Sequence, residues 1–146
     1  MARSPKSDPQ REEVYRWEKK CGTLWYLHGM KMGEARSLLR LMCKRYLVPT
    51  PRFKTVEDAP YTAAAHGDVL VEVNRQRAKP TALLVAHEAA HIICHNLAVD
   101  EPDHGPTWLG VYIDLLDHFK ILPRCMTEPS ARKAKLKFKR NVWPIG

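Results

Sequence analysis

Apolar positions along this chain fall into two periods, one helical and one extended, and together they mark out its elements. Val14, Trp17, Cys21, Leu24, Trp25 and His28 recur every three or four residues and predict an amphipathic first helix. Asp8-Pro9 is its expected start, with Asp as N-cap and Pro in the first helical position. Glu34–Leu47 predicts a second helix whose stripe is Ala35, Leu38, Leu39, Met42 and Tyr46, ended by Pro49 and Pro51. Arg52–Val56 reads as a short strand and Asp58–Tyr61 as a turn. Asp68–Asn74 is the strongest strand signal, with Val69, Val71 and Val73 on one face. Lys79-Pro80-Thr81 opens a helix running to about Asn96. Pro106 or Thr107 starts another to about Lys120, with Trp108, Val111, Tyr112, Leu115, Leu116 and Phe119 inward, and Pro123 stops it. Strands followed by helices over residues 52–120 imply an α+β domain, helices packed on a small sheet.

A length of 146 residues fits one compact domain, taken here as 1–125, followed by a basic tail or edge segment at 126–146. The net charge is +8, and most of the excess lies in Ala131–Arg140. There Arg132, Lys133, Lys135, Lys137, Lys139 and Arg140 alternate in part with Ala134, Leu136 and Phe138. In extended form this places the charge on one face, able to follow a phosphate backbone, with Phe138 and Trp143 near enough to stack on a base. The alternative is a solvated edge strand whose lysines block aggregation.

Composition excludes other classes. Cys21, Cys43, Cys94 and Cys125 show no CxxC or CxxxC spacing, which argues against a zinc ribbon and for reduced thiols in a cytoplasmic protein. The polar start, Met1–Gln10, has no apolar signal core, and the longest apolar run, at Thr81–Ala86, is far too short to span a bilayer. A soluble intracellular protein without membrane partners is expected.

The chemistry is concentrated in Val85-Ala86-His87-Glu88-Ala89-Ala90-His91. Two histidines at i and i+4 share one helical face and can reach a single Zn²⁺ at roughly 2.0–2.1 Å. Glu88 is rotated about 100° from His87, beside the metal but not on it, as a general base requires. A catalytic zinc needs a third protein ligand. His95 continues the face but lies about 12 Å further along the axis, too far to share the ion. Cys94, His118, Asp100 and Asp103 are other donors, but His104 is best placed, after a returning loop and before Gly105-Pro106 and a new helix. Tyr112, one turn beyond Trp108, is a candidate oxyanion stabiliser, though its place on an apolar stripe also suits a core residue.

His87-Glu88-Ala89-Ala90-His91, a linker, then His104-Gly105-Pro106-Thr107-Trp108 resembles the SprT-like (Spartan-related) zinc metalloproteases, a group that includes proteases of DNA-crosslinked proteins. The resemblance covers roughly residues 34–120 and includes Asp68–Asn74, which is similar to the family's edge strand before the active-site helix. It implies a minimal zincin-like domain, Zn²⁺ held by His87, His91 and His104, Glu88 as base, and a protein or peptide substrate, with DNA near by. An edge strand there would be able to hold extended substrate. The chain departs from many bacterial relatives in having no four-cysteine ribbon, so a second zinc is not expected. A competing expectation is a nucleic-acid-binding protein braced by a structural zinc; another is a hydrolase of a non-peptide amide.

Overall fold

Residues 7–24, 29–74, 80–140 and 142 are described by a computed structural model, the side chains of residues 22–24 excepted. Among them are helices α1 (Arg11–Leu24) and α2 (Met32–Arg45), strands β1 (Arg52–Val56), β2 (Ala63–His66) and β3 (Leu70–Asn74), and helices α3 (Ala82–Asn96), α4 (Pro106–His118) and α5 (Arg124–Lys133). The expected α+β composition holds. No helix of the described residues is long and apolar enough to cross a membrane.

The sheet corrects the sequence reading. Its order is β1-β3-β2, with β1 parallel and β2 antiparallel to β3. β3 is therefore the central strand, and the expected edge strand at Asp68–Asn74 has neighbours on both sides. It begins at Leu70, because residues 67–69 turn the chain back from β2, with Gly67 at φ +60° supplying the left-handed step. Val71 and Val73 face the core as expected, whereas Val69 lies in the turn and is 63% exposed. The alanine-rich β2 carried no strand signal, since alanine is a poor strand former; pairing with β3 imposes the extended form.

α3 is the centre of the fold. Residues 85–90 are buried without a break, and Ile92, Ile93 and Cys94 follow, the pattern of a helix covered on all sides. It packs on α2, α4 and β2. Thr81 caps it, its Oγ1 accepting from the Leu84 amide at 3.2 Å. Across α2 and α4, the Arg45 guanidinium donates twice to Asp114, at 2.9 and 3.0 Å, and the Tyr46 hydroxyl donates at 2.8 Å. On α1, Val14, Trp17 and Cys21 are buried as expected, while the Leu24 side chain, Trp25 and His28 lie outside the described residues.

The expected ends of α2 and α4, Leu47 and Lys120, instead lie two residues past the helices, just after the C-caps Tyr46 and Phe119. Leu47, Ala98, Lys120 and Lys135 all have φ between 54° and 61°. In each case the next residue's amide reaches back over the last turn: Val48 to Cys43, Val99 to Cys94, Ile121 to Leu116 and Leu136 to Ala131. These are Schellman closures built without glycine, which is why no glycine signalled them.

The basic C-terminal segment is neither tail nor edge strand. The boundary placed at 125 falls inside α5, which docks on α1 through the Trp17 Nε1 to Ser130 Oγ hydrogen bond at 2.8 Å. Arg132 and Lys133 sit in its last turn, where the helix dipole favours cations. Beyond it, Leu136 is buried and Phe138 half-buried while Lys135, Lys137 and Lys139 face out, so the period of two is real. The strap has no strand partner. It is held by the Lys139 amide on the Pro106 carbonyl at 3.0 Å, and by Gln10, whose Oε1 accepts from the Lys137 amide at 2.5 Å. Gly110 makes room for it: a Cβ there would collide with the Lys139 carbonyl.

Candidate metal centre

α3 places His87 and His91 one turn apart, and the start of α4 brings in His104. The Nε2 atoms of His91 and His104 lie 3.3 and 3.4 Å from that of His87. A tetrahedral ion with bonds of roughly 2.0–2.1 Å separates its nitrogens by about 3.3–3.4 Å, so the spacing fits a metal. Among the described residues this is the one group with such geometry. Cys94 is buried in the core, His95 is exposed beside Asp68, and His118 lies against Phe119.

Two ligands are held from behind. His87 Nδ1 meets Glu18 Oε2 at 2.8 Å, and His104 Nδ1 meets Asp8 Oδ2 at 2.7 Å. A carboxylate at Nδ1 fixes the proton there and turns the Nε2 lone pair to the front, the arrangement of carboxylate–histidine–metal triads. Asp8 thus serves the site rather than capping α1, whose first turn uses only its backbone carbonyl. Gln10 Nε2 also donates to the His104 carbonyl at 2.9 Å and to that of Lys137 at 3.1 Å, tying the ligand loop to the strap.

Burial disfavours charge throughout the cluster, and each group answers according to its neighbours. His91 is held well below the usual imidazole range by burial and by His87 and His104. Burial also lowers His104, against the pull of Asp8. For His87 burial is outweighed by the Glu18 charge, and the net direction is up. Burial pushes the Glu88 carboxyl up, with Glu18 adding to it and His87 opposing.

Glu88 Oε1 stands 3.9 Å from His87 Nε2, alongside the ligand set but not part of it. Its Oε2 is buried and has no hydrogen-bond partner. Leu39, Phe53, Val71, Val73, Leu84 and Val85 surround that carboxyl with apolar surface.

Trp108 is more than a core anchor. Its ring stacks on His91 (centroids 5.2 Å, 28° between planes) and stands 4.8 Å from both His87 and His104. Tyr112 does not take the oxyanion position. Its hydroxyl donates to Glu18 Oε2 at 2.7 Å, on the Nδ1 side of His87, so it steadies the supporting carboxylate from inside the core. The phenol at the open side is Tyr15, 42% exposed, its ring 5.2 Å from His104 and 6.2 Å from His87.

Of the six basic candidates, Lys139 pairs with Glu101 at 2.8 Å and Arg140 pairs with Glu128. Glu101 in turn accepts from Thr107 N and Oγ1, at 2.8 and 2.6 Å, capping α4. Arg132 lies over the Phe138 ring, and Lys133, Lys135 and Lys137 point outward.

Sequence reasoning missed Glu18, Asp8, Tyr15 and Gln10. One signal was present: Glu18 stands at i+4 from Val14, an acid in the apolar stripe of α1, and buried acids are rare unless partnered. Comparison with protein-family models, curated proteins and solved structures finds no match for this chain.

Proposed function

We propose that this protein is a zinc-dependent metallopeptidase with a zincin-like site, acting on proteins associated with DNA as its resemblance to the SprT-like proteases suggests. The observation that carries the reading is the pairing of three convergent imidazole nitrogens with the buried Glu88 carboxyl, whose Oε1 stands 3.9 Å from His87 Nε2. Three nitrogen ligands, two of them with supported Nδ1 atoms, suit zinc, and an open fourth position distinguishes a catalytic from a structural site.

Zinc bound there would supply Lewis acidity, polarising a substrate carbonyl and lowering the pKa of water. The residues divide the remaining work. His87, His91 and His104 hold the ion; Glu18 and Asp8 orient two of them. Glu88 Oε1, the oxygen nearer the ligand nitrogens, accepts a proton from water as the water oxygen bonds to the peptide carbonyl carbon. As the C–N bond breaks, the same oxygen returns that proton to the leaving amine. Burial among apolar walls pushes the Glu88 carboxyl up from the usual carboxylate range, which makes it a stronger base. A structural zinc site has no need of a buried carboxyl left without a partner, which favours catalysis over a purely structural role.

The test measures zinc by elemental analysis and cleavage of a DNA-crosslinked protein and of a free peptide, in wild type and Glu88→Gln. One zinc per chain in both proteins, with hydrolysis reduced about 10²–10⁴-fold in the variant, is expected. Zinc-loaded wild type inert towards both substrates, or hydrolysis untouched by the substitution, would overturn the reading.

A further inference from the structure

Beside Phe53 lies an open groove of about 480 Å³, within the roughly 300–1,000 Å³ of small-ligand sites. Arg36, Ser37 and Arg40 of α2 line it together with Thr50, Pro51, Arg52 and Phe53. Phe53 also lines the cavity against Glu88, so one residue borders both. We propose that this groove binds the phosphate backbone of a nucleic acid.

The charge in it is unspent. The arginines packed elsewhere are matched to carboxylates: Arg45 to Asp114, Arg124 and Arg140 to Glu128. Arg36, Arg40 and Arg52 are exposed and have no acidic partner among the described residues. Arg36 instead lies over the Phe53 ring at 5.7 Å. Arg36 and Arg40 stand one turn apart on α2, and neither has an acid three or four residues away. Like charges at that spacing repel. An anion relieves this repulsion.

The array is linear. Lys44 continues the α2 row, and Lys54 follows Arg52 along β1, both exposed. From Arg36 to Lys44 is about 12 Å along the helix axis, longer than a single anion and suited to a polymer with a charge at every unit. The lining offers guanidinium and hydroxyl donors beside the Phe53 ring, an aromatic face of the kind on which bases stack. That favours a regularly charged backbone over an acidic peptide. The C-terminal segment, by contrast, has two of its six cations tied to Glu101 and Glu128.

This inference extends the proposed action near DNA, and its test does not depend on hydrolysis. Fluorescence anisotropy of a labelled oligothymidylate is measured over a salt series with the zinc-loaded full chain. The proteins are wild type, Arg36→Gln/Arg40→Gln/Arg52→Gln, Lys133→Gln/Lys135→Gln/Lys137→Gln, and Glu88→Gln. The groove variant should bind at least tenfold more weakly. Its log–log salt slope should flatten by about 2, from three phosphate contacts at roughly 0.7 each. The tail variant should change less than about threefold, and Glu88→Gln should bind like wild type. Circular dichroism and zinc content should be unchanged throughout; if the triple variant misfolds, Arg40→Glu alone should still weaken binding. Wild-type affinity in the groove variants overturns the assignment, as does polyglutamate of equal charge competing as well as unlabelled oligothymidylate.

Discussion

α3 and α1 contribute to the metal centre in opposite ways. α3 presents two ligands and the candidate base within five consecutive residues, His87 to His91, at a spacing set by the helix itself. α1 and its lead-in present Glu18 and Asp8, ten residues apart and with no motif between them. Their relation to the histidines exists only once α1 has docked. The two donors on α3 share a helical face, so they leave a pattern in the chain. Groups that steer those donors need only arrive in space, and leave almost none.

The sharpest way to break this comparison is to remove the carboxylates and leave the ligands intact. Glu18→Gln and Asp8→Asn should each weaken metal binding about 10–100-fold, read by competition with a chromophoric chelator. Affinities unchanged in both would reduce α1 to packing. A buried control lies on α4: Gly110→Ala forces a Cβ into the Lys139 carbonyl and should cost about 1–3 kcal/mol in denaturant unfolding. Full stability there would show that the strap detaches readily. Tyr112→Phe deletes one hydrogen bond to Glu18, worth about 0.5–1.5 kcal/mol, and should lower metal affinity a few-fold without unfolding the chain. A loss as large as that of Glu18→Gln would mean that the phenol, not the carboxylate, governs His87.

The smallest effect is a thiol measurement that follows the two helices separately. Cys21 on α1 and Cys94 on α3 are both buried, whereas Cys125 is exposed. Burial pushes the Cys94 thiol up to about 12 and raises Cys21 as well, so both should resist alkylation near neutral pH while Cys125 reacts. Metal removal should expose Cys21 before Cys94, read by mass spectrometry of the labelled peptides. Simultaneous release would show that α1 and α3 open as one unit.

How much was legible follows the same division. Helical periodicity located α2, α3 and α4 to within two residues at each end, because each carries a continuous apolar stripe. It overran α2 and α4 where Leu47 and Lys120 close the helices in a left-handed conformation usually marked by glycine. β2 was missed because Ala63–Ala65 have no strand preference, and with it went the sheet order that makes β3 central. His104 was found because Gly105-Pro106 announced a helix start. Tyr112 reads in the sequence as either an oxyanion stabiliser or a core residue; it is core, and its stripe indicates burial but not which buried carboxylate its hydroxyl meets. The C-terminal charges were counted correctly, but counting does not reveal which are neutralised by Glu101 and Glu128, residues remote in sequence.

The clasp at His104 has a consequence for biosynthesis. Gln10, near the start of the chain, bridges the carbonyls of His104 and Lys137. A ribosome delivers His87, His91 and His104 well before Lys137, yet the ligand loop acquires its last tether only when that residue has emerged. Any metal taken up during synthesis therefore meets a looser, more exchangeable site than the finished one. The hold on an ion would therefore tighten only once the segment before α1 and the strap after α5 have met across the His104 loop.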